Sequence, residues 1–401
     1  MGPMEGIKVV ELGFWIAAPA CAAILSDWGA EVIKVEPLTG DPYRGFRSYF
    51  EVAIGRAENP PFEVDNRGKR DIALDYTTPE GKEILLDLIA QADVFVTNVR
   101  RDALIRNGLD HETISKRFPR LVYACLTALG LEGPEVNRPG FDVGMFWARS
   151  GVAAALALPG EYVASQRGGM GDHMTGVAAA AGVSAALFQR ERTGRGQVIT
   201  TALIRLGSYM MSFDLACAIK FGLETVAADR RAPANPLTNY YMAQDGRQFV
   251  LLGVEPDRLW PVMLRAFDRP EWADDPRFVD SYKRAENTSA LVAELDALFA
   301  TRPRSEWMER FDAEGVWYAP VNRVDELITD LQAQLAGCFV PVPQQDGSVR
   351  DMPATPVTFL DYTIEPTLPS PEVGQHSEEI LLDLGYDWER IIALKDRRVI
   401  N

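Results

Sequence analysis

Two short apolar runs, IKVVEL at 7–12 and EVIKVE at 31–36, flank a small-residue segment, AAPACAAILSDW at 17–28, that Gly29 closes. Strand, helix and strand within about 30 residues make a βαβ unit, and its strands must be parallel because the crossover is too long for a hairpin. The alternation continues through DIALD (71–75), a helix from Thr78 to Ala92 with Pro79 in its first turn, VFVTN (94–98), a short helix near 110–117 and LVYACL (121–126). This pattern predicts an α/β fold: a Rossmann-like, doubly wound parallel sheet. Long helices are expected at 173–192 and 198–221.

Around 225–245 the texture changes to turn-rich chain, ADRRAPANPLTNYYMAQDGRQ. A strand, QFVLLGV, follows, then helices at 257–267, 287–301 and 304–314. The expected organisation is a large domain over 1–225, a smaller α+β domain over 226–325, and a linker over 326–401 whose C-terminal helix returns to the large domain. Polar, proline-rich chain fills 341–372.

The chain carries 57 acidic against 41 basic residues, a net charge of -16, which disfavours a general nucleic-acid or anionic-membrane binder. Its four cysteines form no CxxC, and its three histidines form no HxxxH or HxH, so no metal site is signalled. Scattered thiols fit a reducing cytoplasm. The N-terminal MGPMEGIKVVELG does not read as a signal peptide, and no apolar run reaches bilayer length. A serine hydrolase is disfavoured because no G-x-S-x-G elbow occurs.

The first strand-to-helix junction, ELGFWIAAPA, lacks the G-x-G-x-x-G of dinucleotide binders. Its alanines still permit a close approach to the helix N-terminus, so a plain structural unit and a nucleotide or CoA crevice both stay open. Glu36 ends the second strand, where a ribose hydroxyl is often bound. Two basic spots stand out, NRGKRD (66–71) and NVRRDAL (98–104). Arg100 and Arg101 follow a strand end, the ligand edge of such sheets, where they can grip phosphate; a solvated turn is the alternative.

GGMGDHMTG (168–176) isolates Asp172 among glycines at a helix start. Aspartate there can be a helix N-cap. It can also be a nucleophile toward an activated acyl group, kept ionised by the helix dipole and reached through the space the glycines leave.

Eight stretches in order resemble the class III CoA-transferase family, the CaiB/BaiF-like group that includes formyl-CoA transferase and crotonobetainyl-CoA:carnitine CoA-transferase. They are GIKVVELG, DWGAEVIKVEPLTGDPYR (27–44), NRGKRDIALD (66–75), EGKEILLDLIAQADVFVTN, RPGFD (138–142), GMGDHMTG (169–176), RERTGRGQ (190–197) and GQHSEEILLDLGY (374–386). The resemblance implies an interlocked homodimer, with coenzyme A thioesters as substrates and no tightly bound cofactor. It implies Asp172 as the nucleophile that passes through aspartyl anhydride and aspartyl-CoA thioester intermediates. Carried over by position, the CoA pocket comprises Trp15, Ile16, Ala17, Asn98, Arg100, Leu104 and Asn107. Phe141, Asp142, Gly171 and His173 fall beside the acyl group. The chain departs from the family in lacking the basic residue that some relatives carry after VIKVE, where Pro37 and Leu38 stand, and the glycine-rich lid of formyl-CoA transferase. FWIAAPA, RPGFDVGMFWARSGV and GDHMTG look most like transferases acting on aromatic or branched 2-hydroxy acids. Related 2-methylacyl-CoA racemases carry a histidine within G-H-D. Here the triplet is Gly140-Phe141-Asp142, and phenylalanine cannot move a proton. A CoA-thioester-binding protein without turnover is the third class.

Overall fold

The protein is represented by a computed structural model, of which residues 1–46 and 59–401 are described. A six-stranded sheet is built from β1 (Lys8–Leu12), β2 (Glu31–Glu36), β3 (Lys69–Ala73), β4 (Val94–Thr97), β5 (Val122–Thr127) and β6 (Val198–Ala202). Its order is β3-β2-β1-β4-β5-β6 and every pairing is parallel. The order reverses between β1 and β4, so a crevice opens beyond their carboxyl ends.

Helices α1 (Ala17–Asp27), α2 (Pro60–Asn66), α3 (Pro79–Gln91), α4 (Arg101–Asn107) and α5 (His111–Arg117) alternate with the strands. Thr78 caps α3 by accepting from the Gly81 N–H, with proline in the first turn, and Asp110 caps α5 through the Thr113 N–H. Further along lie α6 (Val152–Ala155), α7 (Met170–Thr193), α8 (Leu203–Met210) and α9 (Ser212–Phe221).

The sheet is buried on both faces, which explains why its strands read as nearly continuous apolar runs. Val9, Val32, Val94, Val122 and Ala124 pack against Cys21, Leu25, Ala180 and Val183 of α1 and α7. Val10, Val35, Phe95 and Tyr123 face the other way, onto Leu85, Leu88 and Ile114. Helices α1 and α7 lie close because Gly176 presents no side chain: a Cβ there would stand 2.9 Å from Ala20 Cβ and 3.0 Å from the Cys21 nitrogen.

Two compact units are distinguished. The first comprises Met1–Ala155, Val163–Thr225 and Gln332–Asn401; the second comprises Leu156–Tyr162 and Val226–Leu331. In the second, β7 (Tyr240–Met242), β8 (Gln248–Leu251) and β9 (Tyr318–Pro320) form an antiparallel sheet with α10 (Pro256–Phe267), α11 (Ser281–Glu286), α12 (Thr288–Phe299) and α13 (Arg304–Glu314). Phe249, Phe267, Phe299, Trp307 and Phe311 are its aromatic core. After α14 (Leu331–Leu335), the hairpin β10 (Phe339–Pro343) and β11 (Val349–Pro353) occupies chain that reads as proline-rich coil. Helices α15 (Ser377–Asp383) and α16 (Trp388–Asp396) pack Ile380, Leu381, Ile391 and Leu394 onto the first unit's core.

Several expectations are revised. The expected helix at 198–221 begins instead with β6, because the β-branched run VITT suits an extended edge partner for β5. Helix α7 starts at Met170 rather than 173. The single C-terminal helix is two, broken at Gly385 with φ 88°.

Candidate active site

The loop from β1 into α1 is held from two sides. The Asn98 side chain accepts the Phe14 N–H at 2.9 Å and donates back to the Phe14 carbonyl at 2.7 Å. Asp41 accepts the Trp15 N–H at 3.2 Å and the Tyr43 N–H at 2.9 Å. Trp15 has φ 64°, a left-handed conformation that a bulky residue adopts only when its surroundings impose it.

Those surroundings are a buried charge network. Glu11 joins Lys34 at 2.9 Å to Lys69 at 2.6 Å, and Lys34 reaches Asp41 at 3.2 Å; all four are essentially inaccessible. Burial opposes the charge on Lys34, but Glu11, Asp41 and Glu36 outweigh it and raise its pKa. Removing one member would strand a buried charge. Two expectations change here. Lys69 and Arg67 of NRGKRD are buried ion-pair partners, not a solvated turn. Glu36 is engaged by the Arg44 guanidinium at 2.8 Å, which takes the oxygen that a ribose would need.

Asp172 is not the cap of α7. Gly169, at φ 79°, precedes the helix and Asp172 is its third residue. The capping acceptor is Asp142, which leads into a π-helical turn at Val143–Ala148. Its two oxygens each lie 3.2 Å from the Gly171 nitrogen, and the Asp172 N–H also donates to it. Asp142 therefore takes the dipole stabilisation expected for Asp172. Burial, then the Asp142 charge, push the Asp172 carboxyl up to about 7, with His173 opposing and Asp65 adding. The expectation of a carboxylate held firmly ionised is corrected accordingly.

His173 projects beside it, with Nε2 3.0 Å from Asp65 Oδ1. Burial alone would lower its pKa, but the Asp65 carboxylate and the Gly169 carbonyl push it up to about 9. An imidazolium therefore faces the Asp142–Asp172 carboxylates at neutral pH.

The glycines of 168–176 serve packing more than access. A Cβ on Gly171 would lie 2.2 Å from Phe146 Cγ and 2.4 Å from Asp142 Oδ1, and one on Gly169 2.9 Å from the His173 ring. Gly176 is the helix contact already described.

One cavity of about 450 Å³ brings together Trp15, Ala17, Asn98, Arg100, Phe141 and Asp172. A neighbour of about 350 Å³ shares Asn98 and Arg100 and extends past Arg101 and Leu104 to His111 and Arg138. Trp15 makes an edge-on contact with Phe141, ring centroids 5.7 Å apart, and lies 5.9 Å from the rings of both Tyr43 and Phe46. Ile16 packs behind the loop with Ala20, Tyr43 and Phe62. Asn107 ends α4 with its amide donated to the Ala103 carbonyl at 2.9 Å and lies outside both linings. Asp142 and Gly171 lie beneath, at the helix start. Reading the sequence missed Asp65, His111, Arg138 and Gln166 as neighbours of the site. Arg138 stands in RPGFD and was within reach; Asp65 meets His173 across 108 positions and left no local signal.

A carboxylate whose pKa is raised by burial and by a second carboxylate, at the end of a sheet-edge cavity, can attack or exchange an acyl group. Residues 4–377 match the family described as CoA-transferase family III. The chain belongs to this family. It is 34% identical to the (R)-2-hydroxy-4-methylpentanoate CoA-transferase of Clostridioides difficile over 398 residues, 99% of both chains. It is 30% identical to the cinnamoyl-CoA:phenyllactate CoA-transferase of Clostridium sporogenes over 404 residues, covering 99% of this chain and 97% of the relative. A crystal structure of a CaiB/BaiF family protein from Brucella suis superposes with TM-score 0.83 at 28% identity, covering 96% of this chain and 99% of that one. The protein is thus an acyl-CoA:carboxylate CoA-transferase, and CoA thioesters are its substrates. Among the described residues, no helix of the transferase is long and apolar enough to cross a membrane.

Proposed function

We propose that the transferase moves CoA between aromatic or branched 2-hydroxy acids by covalent catalysis on Asp172. The observation that carries this reading is the position of Asp172 in the cavity that Trp15 and Phe141 wall and Arg100 borders. An Asp172 oxygen attacks the donor thioester carbonyl; the C–S bond breaks, leaving an aspartyl-acyl anhydride and CoA thiolate. The thiolate attacks the aspartyl carbonyl, the donor acid leaves as carboxylate, and Asp172 holds CoA as a thioester. The acceptor carboxylate attacks this thioester and expels the thiolate, giving a second anhydride. The thiolate then attacks the acceptor's acyl carbon and frees Asp172. A carboxylate raised to about 7 is more basic, hence more nucleophilic, than an ordinary aspartate, yet is half ionised at neutral pH.

The substrate class is supported by the aromatic wall of Trp15 and Phe141, with Tyr43 packed behind Trp15, and by the two 2-hydroxy-acid relatives. An interlocked homodimer is supported by α9, a helix with no buried residue whose Phe213 and Ile219 are 82% and 84% exposed. The four free thiols fit action in the cytoplasm.

The raised Asp172 pKa also favours a second reading, α-proton transfer in an isomerase. Its weakness is the missing partner: Phe141 stands where an acid or base is needed, and His173 is engaged by Asp65. One assay separates the readings. The protein is incubated in heavy water with a panel of acyl-CoAs and free acids, and every thioester is weighed. New acyl-CoA species are expected. A one-dalton gain on an unchanged thioester, without exchange, would sink the transferase reading.

Arg100, exposed and lining both cavities, is proposed to hold the CoA 3′-phosphate. Arg100→Ala is expected to weaken CoA binding about tenfold, as one charge-assisted contact is worth, and dephospho-CoA hardly at all. Calorimetry with both ligands checks it, and equal losses reject the role.

A further inference from the structure

Among the described residues, three carboxylates bear on the first turn of α7: Asp172 itself, Asp142 beneath it and Asp65 from α2. Asp65 is buried, and its carbonyl accepts from Lys69 Nζ at 2.6 Å, which ties it to the network around Glu11. Its Oδ1 meets His173 Nε2 at 3.0 Å, while its Oδ2 is buried with no hydrogen bond among the described residues. A buried carboxylate so placed requires a cation at the paired oxygen. The half-exposed His173 ring answers it. Its other nitrogen faces the Gly169 carbonyl, and a Cβ on Gly169 would stand 2.9 Å from Nδ1. Acceptors at both nitrogens suit a doubly protonated ring.

Asp172 and Asp142 repel one another, and neighbouring like charges drive one of a pair to hold a proton. A protonated Asp172 cannot attack a thioester. The other groups that face it do little to prevent this. Asp65 adds negative charge, burial keeps the Tyr43 phenol neutral, and Arg100 borders the cavity from exposed chain at the strand end. His173 opposes the repulsion and acts on Asp142 as well. Nor does the exchange call for an acid or a base: carboxylate and thiolate replace one another with no proton gained or lost. A fixed charge serves it, and a ring with both N–H groups engaged supplies one. We infer that His173, kept cationic and in place by Asp65, is a positioning residue whose charge offsets Asp142 and holds Asp172 in its attacking form. This rests on the reading of Asp172 as nucleophile and names the group that sets its ionisation.

The test is the pH profile of kcat/KM for CoA exchange in wild type, His173→Gln and His173→Lys. The wild-type acid limb is expected near pH 7. Loss of the charge should move it up by about one pH unit, so His173→Gln falls about tenfold below wild type at pH 6 yet stays within about threefold at pH 9. His173→Lys, which keeps a charge, should leave the limb in place. A merely structural role would instead lower the rate by one factor at every pH. A second measurement addresses Asp65. The chain has three histidines, so imidazole NMR can follow His173, which should titrate at about 9 in wild type and at least about one pH unit lower in Asp65→Asn. An unmoved limb in His173→Gln, an equal displacement in both His173 variants, or a His173 titration that Asp65→Asn leaves in place would overturn the role. A wild-type profile with no acid limb would instead overturn Asp172 as the nucleophile beneath it.

Discussion

Asp172→Ala will remove CoA transfer while leaving a folded protein that still binds CoA. The expected loss is on the order of 10⁴-fold or more in kcat, since every covalent intermediate forms on this carboxylate. Intact-protein mass spectrometry should show wild type gaining the mass of CoA from an acyl-CoA donor and the variant gaining none. Retention of most of the rate with any good substrate pair would refute the covalent mechanism. The pH dependence follows from the same group. Only ionised Asp172 attacks, so wild-type kcat/KM should fall about tenfold per unit below pH 7. Stability moves the opposite way. A carboxyl whose folded pKa is raised contributes fully below its unfolded value, and that contribution is lost as pH rises through about 7. Asp172→Asn, which cannot ionise, should therefore raise Tm at pH 8 and leave it nearly unchanged at pH 4. The site carries charge repulsion that folding alone would avoid, and a thermal melt at the two pH values measures it.

What the sequence makes legible divides along physical lines. The βαβ alternation is local, so β1 to β5 and their parallel, doubly wound arrangement follow from periodicity and length, whereas the switch point between β1 and β4 is a property of the strand order that only the fold shows. β6 escaped because a five-residue strand, four of its residues β-branched, beside a helical run carries no distinct period. The position of Asp172 at a helix start is also local. The identity of its helix cap is not: Asp142 stands 29 residues earlier, and only the fold brings it to the Gly171 N–H. The same holds for Lys69, whose charge reads as solvent-facing until Glu11, two strands away, is placed against it. The family resemblance supplied Asp172 and Asp142 as a pair without the reason that one depends on the other. The resemblance implies Asn98 as a CoA contact; Asn98 borders both cavities, and its amide also holds both polar groups of Phe14, a role in shaping the loop under Trp15 that no local pattern signals.

Gly171→Ala separates two accounts of the glycine cluster. If glycine is there to admit a ligand, a methyl group should raise KM for bulky acids alone and spare both stability and small acids. The geometry requires the opposite. The added Cβ would fall 2.2 Å from Phe146 Cγ and 2.4 Å from Asp142 Oδ1, and Phe146 is buried among Met145, Trp147 and Leu203. Neither can yield freely: the ring is enclosed, and the carboxylate is held by the helix N–H groups. Overpacking of this kind costs about 1–3 kcal/mol, and disturbing the cap adds about 1 kcal/mol. Displacing Asp142 also shifts the turn that aims Asp172, and misplacement by about 1 Å is worth roughly 100-fold in rate. The variant should therefore melt several degrees lower and lose about 100-fold in kcat for acetate and for phenyllactate alike. A selective loss with phenyllactate at unchanged Tm would restore the access account. A uniform loss would place Gly171 with Asp142 and Phe146 as one packed unit, whose function is to hold a carboxylate at the edge of ionisation and pointed into the cavity.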